Sequence, residues 1–139
     1  MSISHRSVID TFAWVEYLLG SKAGARAKVY IESPGAITPS VVLLELTKWH
    51  LREIEEGRRR EADMREQLSF VATSTEVVAL DSALARSAGE LDFLMKKRIK
   101  GWPLADSIIF ATAKSRSATV VTGDPHFDGL EGVHFLGES

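Results

Sequence analysis

Short runs of β-branched residues that stop at an acid or a turn limit this chain to a small set of folds. The clearest run is Thr119–Thr122, with two central valines, and it is followed by Gly123, Asp124 and Pro125. Such a run is typical of a strand buried on both faces in a parallel sheet. Gly123 allows a sharp turn and Pro125 prevents the strand from continuing, so Asp124 is expected at the carboxyl end of a core strand. In open α/β sheets, ligands bind at that edge.

The same pattern recurs along the chain and alternates with helical periodicity. Ser7, Val8 and Ile9 form another short run, which Asp10 closes. The predicted strands are residues 7–9, 36–38, 76–80, 119–122 and 132–136, the last at a sheet edge. The predicted helices are residues 11–19, 22–32, 40–49, 82–100 and 104–113, with a charged helical pair over 53–67 that breaks near Gly57. Strands that alternate with helices predict a three-layer α/β/α fold with a central parallel sheet.

Capping residues mark where several of these helices begin. Thr38 followed by Pro39 predicts an N-cap with proline at the first helical position. Asp81 is expected to cap the long helix that follows it, and Pro103 to open the next one. Gly101 is expected to end the long helix.

Composition excludes several classes of protein. The chain has 139 residues, which suits a single domain over 1–139. It has no cysteine, so disulfides, thiolate nucleophiles and cysteine zinc sites are excluded. Residues 1–6 lack the apolar segment of a signal peptide, and no apolar run approaches the ~18 residues of a membrane span. A cytoplasmic protein is therefore expected.

Four acids lie where a charge is unfavourable. Asp10 and Asp124 follow apolar strands, and Glu45 and Asp106 lie within apolar helices. Asp and Glu are rarely buried unless paired, and clustered carboxylates raise one another's pKa. A hard cation such as Mg²⁺ or Mn²⁺ relieves this repulsion because it prefers oxygen ligands. A bound metal of this kind can activate water and stabilise charge on a phosphoryl oxygen, which is the chemistry of phosphodiester hydrolysis.

Each acid also has a structural explanation when it is taken alone. Asp10 can cap a helix, and Asp106 can complement a helix dipole. Glu45 can pair with Lys48 or with the indole of Trp49, and Asp124 after a glycine can be a turn residue. Four separate explanations would have to hold together, so we favour one shared site.

The segments that contain these acids follow one another in a recognisable order. They are Val8-Ile9-Asp10-Thr11, Thr38-Pro39-Ser40-Val41-Val42-Leu43-Leu44-Glu45, Pro103-Leu104-Ala105-Asp106-Ser107 and Val121-Thr122-Gly123-Asp124. Together they resemble the PIN-domain ribonucleases, and among these the toxins of type II toxin–antitoxin systems of the VapC kind. The resemblance spans nearly the whole chain. It implies an α/β/α sheet and endoribonuclease activity that depends on Mg²⁺ or Mn²⁺.

The resemblance also implies roles for individual residues and partners. The implied catalytic and metal-binding acids are Asp10, Glu45, Asp106 and Asp124. Thr122 corresponds to the hydroxyl that often accompanies the last acid. The family often has a small polar residue two places after the first acid, where this chain has Phe12.

The partners that the resemblance implies are an RNA substrate, a small antitoxin protein and a second copy in a homodimer. The candidate residues for the dimer surface lie on the first two predicted helices. They are Trp14, Tyr17, Leu18 and Tyr30.

Further residues near the acids have two explanations each. The basic run, defined as Lys96, Lys97, Arg98 and Lys100, could steer an RNA backbone or could simply be a solvated helix end. Trp102 could stack a base, although a core position is simpler. Asp128 could extend the site, but a solvated loop position is favoured. His126 could touch substrate, but a partly exposed surface histidine is favoured.

Two rival functions remain open from the sequence. The first is a phosphatase of the haloacid-dehalogenase type, with Asp10 as nucleophile and residues 123–128 as its acid loop. That class needs an Asp at position 12, which is Phe12 here. The second is a non-catalytic RNA-binding or protein-binding PIN-like module. Metal-dependent cleavage of single-stranded RNA would separate these alternatives from a ribonuclease.

Overall fold

Five short parallel strands form the centre of the protein. The computed structural model describes residues 5–137. The strands are β1 (Ser7–Ile9), β2 (Ala36–Pro39), β3 (Glu76–Val78), β4 (Thr119–Thr122) and β5 (Val133–Phe135). Their order in the sheet is β3-β2-β1-β4-β5, and every neighbouring pair is parallel.

Six helices cover the sheet. They are α1 (Thr11–Leu19), α2 (Lys22–Ile31), α3 (Ser40–Glu55), α4 (Glu61–Ser74), α5 (Ser82–Arg98) and α6 (Leu104–Ser115). Crossover connections between parallel strands are right-handed. Since β1 to β3 advance in one direction and the connection to β4 returns in the other, α1–α4 lie on one face and α5 and α6 on the other. This confirms the predicted three-layer α/β/α fold.

The core is formed where the two central strands meet the helices. Val8, Ile9, Val120 and Val121 are fully buried, as expected for strands covered on both faces. Trp14 is also fully buried, and its indole N–H donates to Thr38 Oγ1 at 3.1 Å. Trp14 was a candidate for a dimer surface, and this assignment is wrong because the ring lies inside the core.

The start of α3 differs from the predicted cap. Thr38 lies within β2, and Pro39 rather than Thr38 is the N-cap, so that α3 begins at Ser40. The Thr38 hydroxyl is occupied by Trp14 and by the Thr75 hydroxyl at 2.6 Å, and α3 has no side-chain cap. Two long-range hydrogen bonds thus replace the local one.

Other element boundaries shift by a few residues. The third strand ends at Val78 instead of residue 80, and α3 continues to Glu55, six residues beyond its predicted end. Gly57, with φ of 76°, separates α3 from α4 as predicted. Asp81 caps α5 as predicted, since its side chain accepts the Leu84 N–H. Within residues 5–137, no helix is long and apolar enough to cross a membrane.

Candidate active site

The order of the strands creates a crevice at the carboxyl ends of β1 and β4. The chain proceeds outward from β1 to β2 and β3, then returns to β4 on the other side of β1. In open α/β sheets, ligands bind at such a reversal. Ile9 pairs with Val121, so Asp10 leaves the sheet beside Thr122, and Asp124 follows two residues later.

Asp10 is nearly fully buried and has two roles in the fold. It is 2% exposed, and its Oδ1 accepts the Ala13 N–H at 2.8 Å as the N-cap of α1. Burial raises the pKa of Asp10 to about 7, against the lowering effect of hydrogen bonds from Thr122 and Ala13. The charges of Asp124 and Glu45 raise this pKa further. The capping role is therefore real, and it coexists with a position among other acids.

Asp106 reaches the same crevice from the other face of the sheet. It lies in the first turn of α6, is 7% exposed, and its Oδ2 is a buried atom that has no hydrogen-bond partner within the described residues. Burial raises the pKa of Asp106 to about 8, and Asp124, Asp10 and Glu45 contribute in the same direction. An acid that only complements the helix dipole at the surface would be neither buried nor raised in pKa. The helix-dipole explanation therefore does not account for Asp106.

Glu45 is held by a residue for which the sequence predicted no role. The Thr11 hydroxyl donates to Glu45 Oε1 at 2.5 Å, across 34 residues of sequence. Within residues 5–137, Glu45 pairs with Thr11 and not with Lys48. Thr11 directly follows Asp10, and that adjacency was the only sequence signal for its position.

Thr122 and Gly123 shape the loop that carries Asp124. Thr122 is fully buried, its Oγ1 accepts the Asp124 N–H at 2.9 Å, and it also hydrogen-bonds Asp10. A Cβ atom on Gly123 would lie 2.3 Å from Phe12 Cε1, so any side chain at this position would require the Phe12 ring to move. Phe12, which stands where the family often has a small polar residue, therefore packs on the loop.

His126 lies inside the acidic cluster, although a surface position was favoured from the sequence. Its Nδ1 lies 2.9 Å from Asp124 Oδ1 and 3.5 Å from Asp106 Oδ2. A short 3-10 turn, Pro125–Phe127, places it there: Phe127 is fully buried, and Asp124 Oδ1 accepts the His126 backbone N–H at 3.0 Å. The side chain is 36% exposed, so the expected partial exposure holds, but the ring nitrogen faces two acids instead of solvent.

Comparison with known proteins identifies the family. A PIN domain family model matches residues 7–133. The chain belongs to the PIN domain family. A search of curated proteins found none that matches it. The family match rules out the haloacid-dehalogenase alternative for this domain.

Solved structures of similar fold include several toxin–antitoxin proteins. A toxin–antitoxin complex from Klebsiella pneumoniae has a TM-score of 0.72 at 19% identity and covers 96% of this chain and 99% of its own. VapBC2 from Rickettsia felis, bound to a promoter DNA fragment, has a TM-score of 0.69 at 16% identity, with coverages of 93% and 96%. VapC20 from Mycobacterium tuberculosis, described as a sarcin-ricin loop cleaving toxin, has a TM-score of 0.61 at 19% identity, with coverages of 82% and 86%. At these identities the likeness concerns the fold.

The donors of this PIN domain fit a divalent cation. One ligand atom from each of Asp106, Asp124 and His126 lies within 4.8 Å of the others. Asp106 Oδ2, buried and without a hydrogen-bond partner among residues 5–137, is the kind of atom that a cation satisfies. Oxygen donors suit Mg²⁺ and Mn²⁺.

Trp102 and the basic run flank the start of α6. Trp102 is 2% exposed, donates its indole N–H to Ser107 Oγ at 2.7 Å, and packs edge-on against Phe127. The suggested base-stacking role is therefore wrong, because the ring is in the core. In the basic run all four side chains are exposed, but Lys96 pairs with Asp92 at 2.7 Å and Lys97 lies over the Phe93 ring.

Proposed function

We propose that this PIN domain is a divalent-metal-dependent endoribonuclease. The observation that supports it most strongly is a group of four carboxyl groups from separate elements, in which the charges of Asp124 and Glu45 help to raise the pKa values of the buried Asp10 and Asp106. A fold gains nothing from burying acids that repel one another. The arrangement is understandable if a cation completes it.

The acids would divide the work of binding the cation. Asp106 and Asp124, whose donor atoms lie in one group, would supply oxygens first, and Asp10 and Glu45, which lie outside that group, would supply others from the end of β1 and from α3. Such a cation provides Lewis acidity toward a phosphoryl oxygen and lowers the pKa of water. Since carboxylates bind metals when ionised, Asp10 and Asp106 would have to give up their protons to solvent in order to hold the cation.

The neighbouring hydroxyl groups would fix the orientation of these acids. Thr11 holds Glu45, and Thr122 links Asp10 to the loop that carries Asp124. The basic run would contact RNA phosphates beside α6. These contacts would position the RNA strand without recognising its base sequence.

We further propose that the protein is the toxin of a toxin–antitoxin pair. The support is the fold likeness to toxins solved with their antitoxins and to a toxin described as cleaving the sarcin-ricin loop. Large apolar side chains that are more than half exposed on α3 and α5 offer surface for a protein partner; they are Leu44, Leu51, Phe93 and Leu94. As part of the same proposal, two copies of this chain form a homodimer.

Cleavage of end-labelled single-stranded RNA tests the catalytic proposal. The protein should cut RNA with Mg²⁺ or Mn²⁺ and not with EDTA. Asp10→Asn and Asp106→Asn should lower the rate by about 1,000-fold or more, a loss of roughly 4 kcal/mol of transition-state stabilisation. The matched control is Asp81→Asn, which removes a carboxylate at the α5 cap, where asparagine caps equally well.

The outcomes separate the remaining alternatives. Cleavage by the Asp10→Asn and Asp106→Asn proteins at the unaltered rate would refute the proposal, as would full activity in EDTA. Metal binding without cleavage of any RNA offered would instead favour a non-catalytic binding module. For the toxin proposal, induced expression should arrest growth, and Asp106→Asn should abolish the arrest.

A further inference from the structure

We infer that His126 binds the cation of this site through Nδ1, and that the mixed nitrogen and oxygen donors make the site select Mn²⁺ over Mg²⁺. The inference rests on the proposed metal-dependent function and specifies its ligand set.

The surroundings of the His126 ring determine which nitrogen faces the acids. Nδ1 is the atom that lies 2.9 Å from Asp124 and 3.5 Å from Asp106. Nε2 lies on the side of Gly101, 4.0 Å from the place where a Cβ atom on that residue would stand. The ring also meets Trp102 edge-on, with centroids 6.4 Å apart. A buried indole and a tight turn thus hold Nδ1 toward the crevice.

The contact between His126 and Asp124 is close but is not a hydrogen bond. Nδ1 is a buried atom and has no hydrogen-bond partner among residues 5–137, although a carboxylate oxygen lies 2.9 Å away. The distance of 2.9 Å is suitable for a hydrogen bond, so it is the angle between Nδ1 and the carboxylate that does not suit one. Asp106 Oδ2, on the other side, is likewise buried and without a partner within the described range. Two such buried atoms that lie 3.5 Å apart are better explained by a common cation than by a hydrogen bond.

The spacing of the donors agrees with shared coordination. In an octahedral site with bonds of about 2.1 Å, adjacent ligand atoms lie about 3.0 Å apart. The distances of 2.9 Å and 3.5 Å from Nδ1 to the two carboxylate oxygens lie close to that value. All three donor atoms lie within 4.8 Å of one another.

The donor set determines which ion is favoured. Mg²⁺ binds oxygen ligands, keeps several waters and demands regular geometry. Imidazole suits first-row transition metals, whereas carboxylates suit Mg²⁺ and Mn²⁺. Mn²⁺ is the ion that accepts both kinds of donor well, so a histidine among carboxylates favours Mn²⁺.

Pulsed electron paramagnetic resonance of Mn²⁺ bound to the unaltered full chain gives a direct test. A coordinated imidazole produces a ¹⁴N coupling on the bound ion. We expect this coupling in the wild type, its loss in His126→Asn, and its retention in His134→Asn. His134 is the control because it is exposed on β5, where its ring contacts Tyr30 and not the acids.

Titration calorimetry supplies a second measurement without any nuclease assay. His126→Asn places an amide oxygen near the position of Nδ1. It should lower the ratio of Mn²⁺ to Mg²⁺ affinity by about tenfold or more, since even loss of a residue that only supports a ligand costs about tenfold. His134→Asn should leave the ratio unchanged.

The outcomes distinguish this inference from the proposed function. Bound Mn²⁺ without ¹⁴N coupling, or an unchanged affinity ratio in His126→Asn, would overturn the role of His126 while RNA cleavage and metal binding stand. Failure of the wild type to bind either ion would overturn the proposed function itself. Because the coupling is measured on the unaltered protein, its absence there is decisive even if the variant folds poorly.

Discussion

Two buried carboxyl groups, Asp10 and Asp106, dominate the electrostatics of the site. Their pKa values are raised from 3.8 to about 7 and about 8, mainly because burial disfavours the charged form. A carboxyl whose pKa is raised in the folded state stabilises the fold below its unfolded pKa. That contribution is lost as the pH rises through the folded pKa. The metal-free protein therefore carries a strain that increases toward neutral and alkaline pH.

This strain leads to a prediction about pH. In EDTA, the free energy of unfolding measured with urea should fall between pH 5 and pH 8, because over that range both acids are ionised in the unfolded chain while the folded protein still holds them protonated; the fall should end as the folded acids ionise near pH 7 and pH 8. Asp106→Asn should flatten the fall. Asp63→Asn on α4 is the control and should leave the fall unchanged, since backbone and side-chain hydrogen bonds from Arg60 hold the pKa of Asp63 below its usual value. A constant free energy of unfolding over this range would mean that the pKa values of Asp10 and Asp106 are not raised by folding.

At the scale of elements, one hydrogen-bond chain joins α5 to α6. Trp102 donates to Ser107, and Ser107 donates to Asp92 at 2.8 Å. Ser107 follows Asp106 in the chain, so the same turn of α6 that anchors the two helices also carries a site acid. The position of Asp106 depends on this junction.

Removing the centre of that chain should destabilise the protein. Ser107→Ala leaves the Trp102 N–H buried without an acceptor, which should cost about 1–3 kcal/mol in the free energy of unfolding. Ser87→Ala, on the exposed face of α5, should change it by less than about 0.5 kcal/mol. Thermal and urea denaturation of both variants would measure the difference. Equal stability of the two would show that the junction is unimportant.

The end of α5 provides a prediction about RNA binding. Because Lys96 and Lys97 already contact Asp92 and Phe93, Arg98 and Lys100 offer the cleaner test. Replacing both with Gln should weaken binding to single-stranded RNA without sequence preference. The salt slope should fall by about 1.4, or about 0.7 for each phosphate that is no longer neutralised.

The control for this prediction carries the same change in charge elsewhere. Lys22 and Lys28 are exposed on α2, so Gln at both positions should leave the salt slope unaltered. Binding is measured by fluorescence anisotropy at several salt concentrations, with Asp10→Asn as the background because this change should prevent the proposed cleavage during the measurement. A slope that is equally steep with and without Arg98 and Lys100 would assign them to a solvated helix end.

At the scale of the whole molecule, the site joins the two ends of the chain. Asp10 follows the first strand and Asp124 the fourth, and the two strands are neighbours at the centre of the sheet. A cation held by both would link segments that are separated by more than a hundred residues of sequence. It would stabilise the folded state only, because the unfolded chain does not bring these acids together.

Metal binding should therefore raise the melting temperature. Mn²⁺ or Mg²⁺ at a hundred times its Kd should add about 2.7 kcal/mol to the free energy of unfolding. For a domain of this size that is on the order of 5–15 °C in Tm. Asp106→Asn should start higher than the wild type in EDTA at pH 8 and gain less from metal. An identical gain in both proteins would place the ion elsewhere.

The amino-acid sequence by itself was sufficient to predict the layers and the order of the elements. Short β-branched runs that alternate with helices are typical of a parallel sheet covered on both faces, and the structure has that sheet. The placement of Asp10 and Asp124 at strand ends followed from local chemistry, namely a strand that stops at an acid or at a glycine turn. Asp81 as a cap followed from the same kind of local rule.

Only the tertiary structure decided which side chains meet. Thr38 looked like a local cap, but its hydroxyl serves Trp14 and Thr75, and Thr11 proved to hold Glu45. His126 looked like a surface residue, but the burial of Phe127 turns its Nδ1 toward Asp106 and Asp124. Periodicity and capping depend on neighbours in sequence, whereas these contacts depend on how separate strands and helices pack, which a local pattern does not encode.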